Sequence, residues 1–245
     1  QWLGELWSGR SVPRRIIPLM GHRPLTSWRI QAFKWTQRPA VAAYAGDKNE
    51  IPTNAVAIAP YEAEATRWAG GHDLDRKFYD FGDREILDSY WRAMNESYAV
   101  VTDANAADWI VANATAAGPA PDLFQAILTG QSAVEDALNV GADYVLANPA
   151  DKLSLLSITA ANAPAYASLF GVNFNAVVWT KRVPAKTVVV GAKAAATHYE
   201  LPGSPLRVEA EHLSHGGRDA ALFGYTALTL DNGAGLVKVT IGTEA

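Results

Sequence analysis

The sequence predicts a mixed α+β fold, in which strands flank one long helix and antiparallel sheet closes the chain. Three observations lead to this prediction: residues 26–36 alternate between apolar and polar side chains, residues 83–102 carry a helical apolar stripe, and the last 45 residues return to a period of two. Hydrophobic residues make up 49% of the chain and charged residues only 19%. The low charge indicates either surface that is buried against partners or a chain that is simply rich in alanine.

The first 25 residues predict an extended arm, because they contain three prolines and no clear period. Apolar side chains such as Trp2, Leu6 and Trp7 need cover, which a neighbouring subunit can provide. Residues 1–40 have a net charge of +6 and the rest of the chain −10. This asymmetry favours contact with an acidic neighbouring surface over sequence-specific DNA binding. The basic residues concerned are Arg10, Arg14, Arg15, Arg23, Arg29, Lys34 and Arg38.

Two strand-like regions precede the long helix. Residues 26–36 predict a strand with a register break, which carries Trp28, Ile30, Phe33 and Trp35. Residues 37–66 predict a long hairpin around a turn signal at residues 46–49, but its limbs lack the bulky apolar face needed to pack on a core of their own. Residues 66–81 predict a further strand, ending in residues 77–81.

The helix has the clearest signal in the chain. Gly82 and Asp83 can cap it, and the stripe consists of Ile86, Tyr90, Met94, Tyr98 and Val101. Residues 103–117 predict a further helical stretch.

The remaining elements alternate between helices and strands. Pro121 suits the start of a helix that stops at Gly130, and residues 132–135 match a capping box for a second helix that stops near Gly141. A strand at 143–147, a turn, a helix to about Ile158 and an irregular stretch at 159–174 follow. The final predicted strands are 175–183, 186–192, 206–210, 221–230 and 236–241, with a turn at 215–217 and a hairpin signal at 231–233.

No motif for catalysis or cofactor binding occurs in the sequence. The chain has no cysteine, which excludes disulfides and thiolate metal sites, and it lacks phosphate-binding, nucleophile-elbow and dinucleotide fingerprints. Glu62 with Glu64, and Asp73 with Asp75, are carboxylate pairs at strand spacing. These carboxylate pairs keep open the alternative that the protein is a cation- or polysaccharide-binding module. Carboxylates at this spacing more often form the solvated face of a strand. No apolar run approaches the roughly 20 residues of a membrane span. We therefore expect no enzyme, no cofactor, no metal and no membrane partner.

Four segments, in this order along the chain, resemble those of the major capsid protein of tailed bacteriophages, which has the Hong Kong 97-type (HK-97-type) capsid fold. Residues 81–88 (FGDREILD) are similar to the start of its spine helix. Residues 142–151 (ADYVLANPAD) are similar to a strand–Asn-Pro–helix step in its axial domain. Residues 199–208 (YELPGSPLRV) and 216–225 (GGRDAALFGY) are similar to its closing segment.

The resemblance implies four parts. These are an N-terminal arm at 1–21, an extended loop (a long β-hairpin) at 37–66, an axial domain at 121–199, and a peripheral domain formed by 22–36, 67–120 and 200–245. The spine helix, at about 83–102, and an antiparallel sheet belong to the peripheral domain. A start at Gln1 fits the removal of a leading scaffolding segment by a protease, which is frequent in this family.

The resemblance also implies how the protein acts. Copies of the chain assemble as hexamers and pentamers into an icosahedral shell, the virion capsid, which forms in the host cytoplasm. The shell encloses double-stranded DNA without sequence specificity and has portal and cement proteins as further partners. The alternative on the same fold is an encapsulin-type compartment that holds cargo enzymes. The basic arm and the processed-looking start favour the phage.

Two sets of contact residues follow from these expectations. The predicted inter-subunit contacts are Trp7, Arg10, Arg14, Arg15, Lys48, Ile51, Val56 and Ile58. Some family members cross-link a lysine of the extended loop to an asparagine of a neighbour, for which Lys48 and Asn232 are the candidates. No residue matches the family's assisting glutamate, so an uncross-linked shell is expected.

Overall fold

The computed structural model describes residues 13–46, 48–82, 84–152, 177–212 and 217–242, and it confirms the mixed α+β class. The helices are α1 (Lys77–Asp80), α2 (Arg84–Asn113) and α3 (Leu123–Leu138). The strands are β1 (Gly21–Pro24), β2 (Arg29–Gln37), β3 (Ala57–Glu64), β4 (Thr66–Asp75), β5 (Thr115–Ala116), β6 (Tyr144–Ala147), β7 (Val177–Trp179), β8 (Thr187–Gly191), β9 (Ala196–Glu200), β10 (Leu206–His212), β11 (Gly217–Leu230) and β12 (Leu236–Thr240).

The strands form two sheets and a separate hairpin. The first sheet has the order β1-β9-β11-β10, with β4 on the other edge of β11. The second sheet has the order β5-β12-β8-β6-β7. Strands β2 and β3 pair with each other, and their register is continuous from Arg29 to Trp35 and shifts between Trp35 and Gln37. The register break predicted between Ile30 and Phe33 is therefore misplaced. We call β2, β3 and the connecting residues 38–56 the hairpin.

Helix α2 is much longer than its apolar stripe predicted, and it packs on both sheets. The segments 83–102 and 103–117, predicted as separate helical stretches, form one 30-residue helix to Asn113, about 45 Å long at 1.5 Å per residue. Its first half packs Trp91 and Tyr98 on Ala220 and Leu222 of the first sheet. A second group of α2 residues, including Ile110, packs on the second sheet.

The second sheet is covered on both faces. Val189 and Leu146 face the α2 side, whereas Val188, Val190 and Val145 face α3. This explains the uninterrupted valine run of β8, since a strand buried on both faces needs no polar alternation. In this sheet, β12 lies between β5 and β8. Strands β5 and β12 belong to the predicted peripheral domain and strands β6, β7 and β8 to the predicted axial domain, so the sheet combines strands of both.

Three predicted elements are wrong. Residues 77–80 form the helix α1 instead of the end of a strand. The two helices predicted to meet at Gly130 are the single helix α3, capped by Asp122 instead of Ser132. Gly130 lies inside α3. A glycine is needed there because the backbone approaches Val190 so closely that a Cβ would stand 2.5 Å from a methyl group of Val190.

The hairpin predicted at residues 231–233 is also wrong. Strand β12 pairs with β5 and β8, not with β11, because residues 233–235 form a 3-10 turn that carries the chain from the first sheet to the second. The predicted helix to Ile158, the irregular stretch 159–174 and most of the turn 215–217 lie outside the described residues. Among the described residues, no helix is long and apolar enough to cross a membrane.

Candidate functional site

The hairpin presents an apolar ridge to solvent. The register places Phe33 opposite Pro60 and Trp35 opposite Ile58, and all four side chains lie on the face that points away from the body. Phe33 and Ile58 are 60% and 56% exposed, and the rings of Phe33 and Trp35 make an edge-to-face contact at 6.0 Å. We call Phe33, Trp35, Ile58 and Pro60 the apolar ridge. A two-stranded ribbon with such a face is marginal in water unless another surface covers it.

The connection between β2 and β3 is long and largely without regular structure. The side chain of Asn54 ties its two limbs together, because it accepts from the backbone N–H of Ala40 and donates to the carbonyl oxygen of Arg38. Near the tip, Lys48 has a positive φ of 61°, which places a basic residue in the turn. Further exposed apolar side chains follow the same course: Val41, Tyr44, Ile51 and Val56.

The predicted contacts Lys48, Ile51, Val56 and Ile58 are therefore all exposed on the hairpin. Their role between subunits stays a prediction. The aromatic half of the ridge, Phe33 and Trp35, was missing from the predicted contacts because the sequence pattern placed both residues in a strand of the body. Their exposure follows from the pairing of β2 with β3 and not with the first sheet.

The first sheet also has an apolar face that is open to solvent. The register aligns Leu206, Phe223 and Ala69 across β10, β11 and β4, and one step further it aligns Val208, Ala221 and Gly71. Leu206 and Val208 are 39% and 47% exposed. We call these six residues the outer sheet face, since helix α2 packs on the opposite face. A solvated sheet face normally carries polar side chains, so this apolar composition is unusual for a face that is open to solvent.

Acidic residues border the outer sheet face. Asp73 and Asp219 are directly opposed in the β4–β11 register, one step beyond Gly71 and Ala221. Like charges in such a pair repel each other. The apolar part of the outer sheet face therefore ends in a negative patch.

The N-terminal segment contacts its own subunit from Pro13 onward. Ile16, Ile17 and Met20 are buried in the core that includes Ile110 of α2. The carboxylate of Asp103 accepts the backbone N–H groups of Arg15, Ile16 and Ile17 at 3.0, 2.8 and 2.9 Å. Asp103 thus caps the 3-10 turn Ile17–Leu19 from a neighbouring helix. The apolar side chains of this part of the expected arm are therefore buried within their own subunit.

Arg14 forms an ion pair inside the subunit. Its guanidinium donates to both carboxylate oxygens of Glu200 at 2.8 Å and lies 5.1 Å from the ring centroid of Tyr98. The hydroxyl of Tyr98 donates to the same carboxylate at 2.8 Å. Burial opposes ionisation, but the hydrogen bonds from Arg14 and Tyr98 outweigh it and lower the pKa of Glu200. The structure therefore gives Arg14 a role in the subunit, while the side chain of Arg15 is exposed. Trp7 and Arg10 lie outside the described residues.

His198 lies under the same segment. Its ring is 1% exposed and stacks on His22 at 5.7 Å. Neither ring nitrogen has a hydrogen-bond partner in the described part of the chain. Burial lowers the pKa of His198 to about 4, so the ring is neutral at physiological pH. Sequence reasoning missed Asp103, His198 and Glu200, because their partners lie far away along the chain.

The remaining candidate residues have local partners. Asn232 caps the 3-10 turn at 233–235 through the backbone N–H of Ala234, and its cross-link to Lys48 stays a prediction. Glu62 accepts from Gln31, Glu64 accepts from Trp28, and Asp75 pairs with Lys77. No group of three or more His, Asp or Glu side chains in the described ranges could hold a metal ion.

One family model and several solved structures match this chain. The family model described as "Phage capsid protein" matches residues 60–239. A chain of Microbacterium phage Oxtober96 is 11% identical with a TM-score of 0.72, covering 100% of this chain and 95% of its own. The structure titled "Capsid structure of the Cyanophage P-SCSP1u" is 11% identical with a TM-score of 0.65, covering 99% and 94%.

A third structure, titled "Capsid of empty GTA particle computed with C5 symmetry", is 9% identical with a TM-score of 0.67 and covers 96% and 92%. At such identities the structural matches show a shared fold. No curated protein gives a significant match.

Proposed function

The chain belongs to the phage capsid protein family, and we propose that it is the major capsid protein of a tailed phage with a Hong Kong 97-type fold. In this proposal, copies of the chain assemble as hexamers and pentamers into an icosahedral shell around double-stranded DNA. Shells form in the host cytoplasm, with a portal and cement proteins as further partners. The observation that carries the proposal is the hairpin, whose apolar ridge has no cover within the described part of the subunit.

The proposal keeps the four predicted parts of the subunit. The arm comprises residues 1–21, the extended loop 37–66, the axial domain 121–199 and the peripheral domain the remaining segments. The pairing of β2 with β3, separate from both sheets, supports an extended loop that leaves the body. The paired residues begin at Arg29, before the predicted start of the loop at residue 37. The α3 layer on β8 supports a compact axial unit, which β12 of the closing segment joins.

Contact between copies forms when the apolar ridge of one hairpin packs on the outer sheet face of the adjacent copy. The sizes of the side chains support this arrangement. The ridge offers large side chains, Phe33 and Trp35, while the outer sheet face includes the small residues Ala69, Gly71 and Ala221, on which large rings can pack closely.

The experiment that tests the proposed function is assembly of the purified full chain. Light scattering and negative-stain microscopy are expected to show closed shells of uniform diameter that dissociate into subunits in denaturant. Particles purified from phage-producing cells are expected to contain nuclease-protected double-stranded DNA. Protein cargo in place of DNA would indicate an encapsulin-type compartment, and a stable monomer under all assembly conditions would refute a shell protein.

A further inference from the structure

The carboxylate of Asp231 joins three elements through hydrogen bonds from hydroxyl groups. Thr229 at the end of β11 donates to Oδ1 at 2.9 Å, and Tyr61 of β3 donates to the same oxygen at 3.3 Å. Thr197 of β9 donates to Oδ2. The backbone N–H of Asp231 donates to the carbonyl oxygen of Ala195 at 2.9 Å. The hydrogen bonds with Thr229, Thr197 and Ala195 therefore hold Asp231 on the body. The fourth hydrogen bond, from Tyr61, connects it to the hairpin.

The base of the hairpin has a separate attachment. Ile30 packs on the small cluster of Leu25, Ala65 and Ala227, and the backbone N–H of Ala65 donates to the carbonyl oxygen of Trp28 at 3.0 Å. These contacts hold the point where the hairpin leaves the sheet. Alone, they resemble a hinge, because a two-stranded ribbon attached only at its base can change its angle to the body.

Tyr61 adds a second point of attachment farther along the ribbon. It lies two residues before Ala63, the partner of Ile30, and four residues before Ala65, so it stands about 7 to 13 Å from the base contacts at 3.3 Å per residue. Two contacts at this separation fix a direction that a single contact leaves free. The ammonium group of Lys34 lies 5.6 Å from the ring centroid of Tyr61 and helps to hold the ring in place.

We propose that the Tyr61–Asp231 hydrogen bond is the positioning contact that fixes the angle between the hairpin and the body. Tyr61 is suited to this role, since its ring is half-buried and its hydroxyl reaches an acceptor that is already fixed. Burial raises the pKa of Tyr61, so the hydroxyl remains a donor throughout the physiological range. The consequence for shells rests on the proposed function, since the angle decides where one hairpin meets the adjacent copy.

The test measures the angle in the unassembled full-length subunit. The chain contains no cysteine, so Ala57→Cys and Asp136→Cys create two unique sites for spin labels. Ala57 ends the paired part of the hairpin, and Asp136 is exposed on α3. Electron paramagnetic resonance then gives the distribution of distances between hairpin and body. Tyr61→Phe, which removes only the hydroxyl, is expected to broaden this distribution at least twofold without changing the unfolding midpoint.

Tyr44→Phe is the matched control, because the Tyr44 hydroxyl donates to Asn49 within the hairpin. It is expected to leave the distance distribution unchanged. Asp231→Ala is expected to broaden the distribution as much as Tyr61→Phe, and the double variant no further, since both changes remove the same contact. Equal widths for Tyr61→Phe, Tyr44→Phe and the parent would overturn the inference.

Microscopy separates this inference from the proposed function. If the parent forms shells and Tyr61→Phe forms fewer or irregular ones, both stand. If Tyr61→Phe shows a broad distribution yet assembles like the parent, the hydrogen bond fixes the hairpin angle as inferred, the angle does not govern assembly, and the capsid function stands. If the parent never assembles, the proposed function itself fails.

Discussion

Helix α2 and the hairpin both extend from the first sheet, yet their apolar side chains have opposite environments. On α2, Trp91 and Tyr98 are only 5% and 6% exposed, because they pack on the inner side of the sheet. On the hairpin, Phe33 and Ile58 are more than half exposed. Residues of the same chemical type therefore stabilise the subunit in one region and remain available to another chain in the other. Subunit stability and assembly should respond to different substitutions.

The largest effect on subunit stability is expected for Tyr98→Ala. The ring fills the space above Gly224, where an added Cβ would stand 2.2 Å from it, and its hydroxyl holds Glu200. Truncation of a buried aromatic side chain costs about 3–5 kcal/mol. Urea unfolding of the unassembled subunit measures this loss. A cost below about 0.5 kcal/mol, the range of surface substitutions, would show that α2 does not pack as described.

Acid is expected to destabilise the body through His198. Because burial lowers its folded-state pKa to about 4, below the unfolded value of about 6.5, the unfolded chain binds the additional proton between these values. Stability is therefore full above pH 6.5 and falls by roughly 3 kcal/mol as the pH approaches 4. Unfolding curves across this range measure the slope.

Two variants identify His198 as the source of the acid effect. His198→Phe should remove most of the dependence between pH 6.5 and 5, whereas His22→Phe, which alters the exposed ring of the same stack, should retain it. A flat profile for the parent protein would contradict a neutral, buried His198.

Adjacent arginines provide a matched comparison at the junction of the arm with the body. Arg14→Ala leaves the half-buried carboxylate of Glu200 without its bidentate partner and is expected to cost about 2 kcal/mol. Arg15→Ala removes an exposed side chain and is expected to change stability by less than about 0.5 kcal/mol. Thermal unfolding of the two variants compares them directly, and equal effects would refute the internal role of Arg14.

The smallest effect on stability is expected on the hairpin, together with a large effect on assembly. The double variant Phe33→Ser, Ile58→Ser replaces exposed side chains and should change subunit stability by no more than about 0.5 kcal/mol per site. Particle yield measured by light scattering should nevertheless fall sharply, because the ridge loses the apolar surface that a neighbour buries. Normal yield would show that assembly does not use the apolar ridge.

Regular elements with local signals were predictable from the sequence. The apolar stripe identified α2, and its central residues Tyr90, Met94 and Tyr98 contact the sheet. Its end residues Ile86 and Val101 are instead 39% and 42% exposed. Period-two alternation identified β2, β10 and most of β11. These signals depend on neighbours within a few residues, which a single sequence displays.

Features that depend on distant parts of the chain were not predictable. Gly130 looks like a helix stop, and only its contact with Val190 of β8 explains why a glycine stands inside α3. Residues 231–233 look like a hairpin turn, but the choice of β8 as partner for β12 is decided in three dimensions. Asp103 and Asp231 act on residues far away along the chain, so no local pattern marks them.

The most direct test of the contrast between body and hairpin replaces residues 38–56 with a short Gly/Ser connector. The body and the β2–β3 pairing remain, and loop length changes closure entropy only slowly. The variant is expected to unfold within a few degrees of the parent protein, because a loss below about 1 kcal/mol shifts the midpoint only slightly, and microscopy of the same sample should show no closed shells. Closed shells of the parent's diameter would contradict a role of residues 38–56 in contacts between subunits, and a variant that fails to fold would show that these residues belong to the subunit's own core.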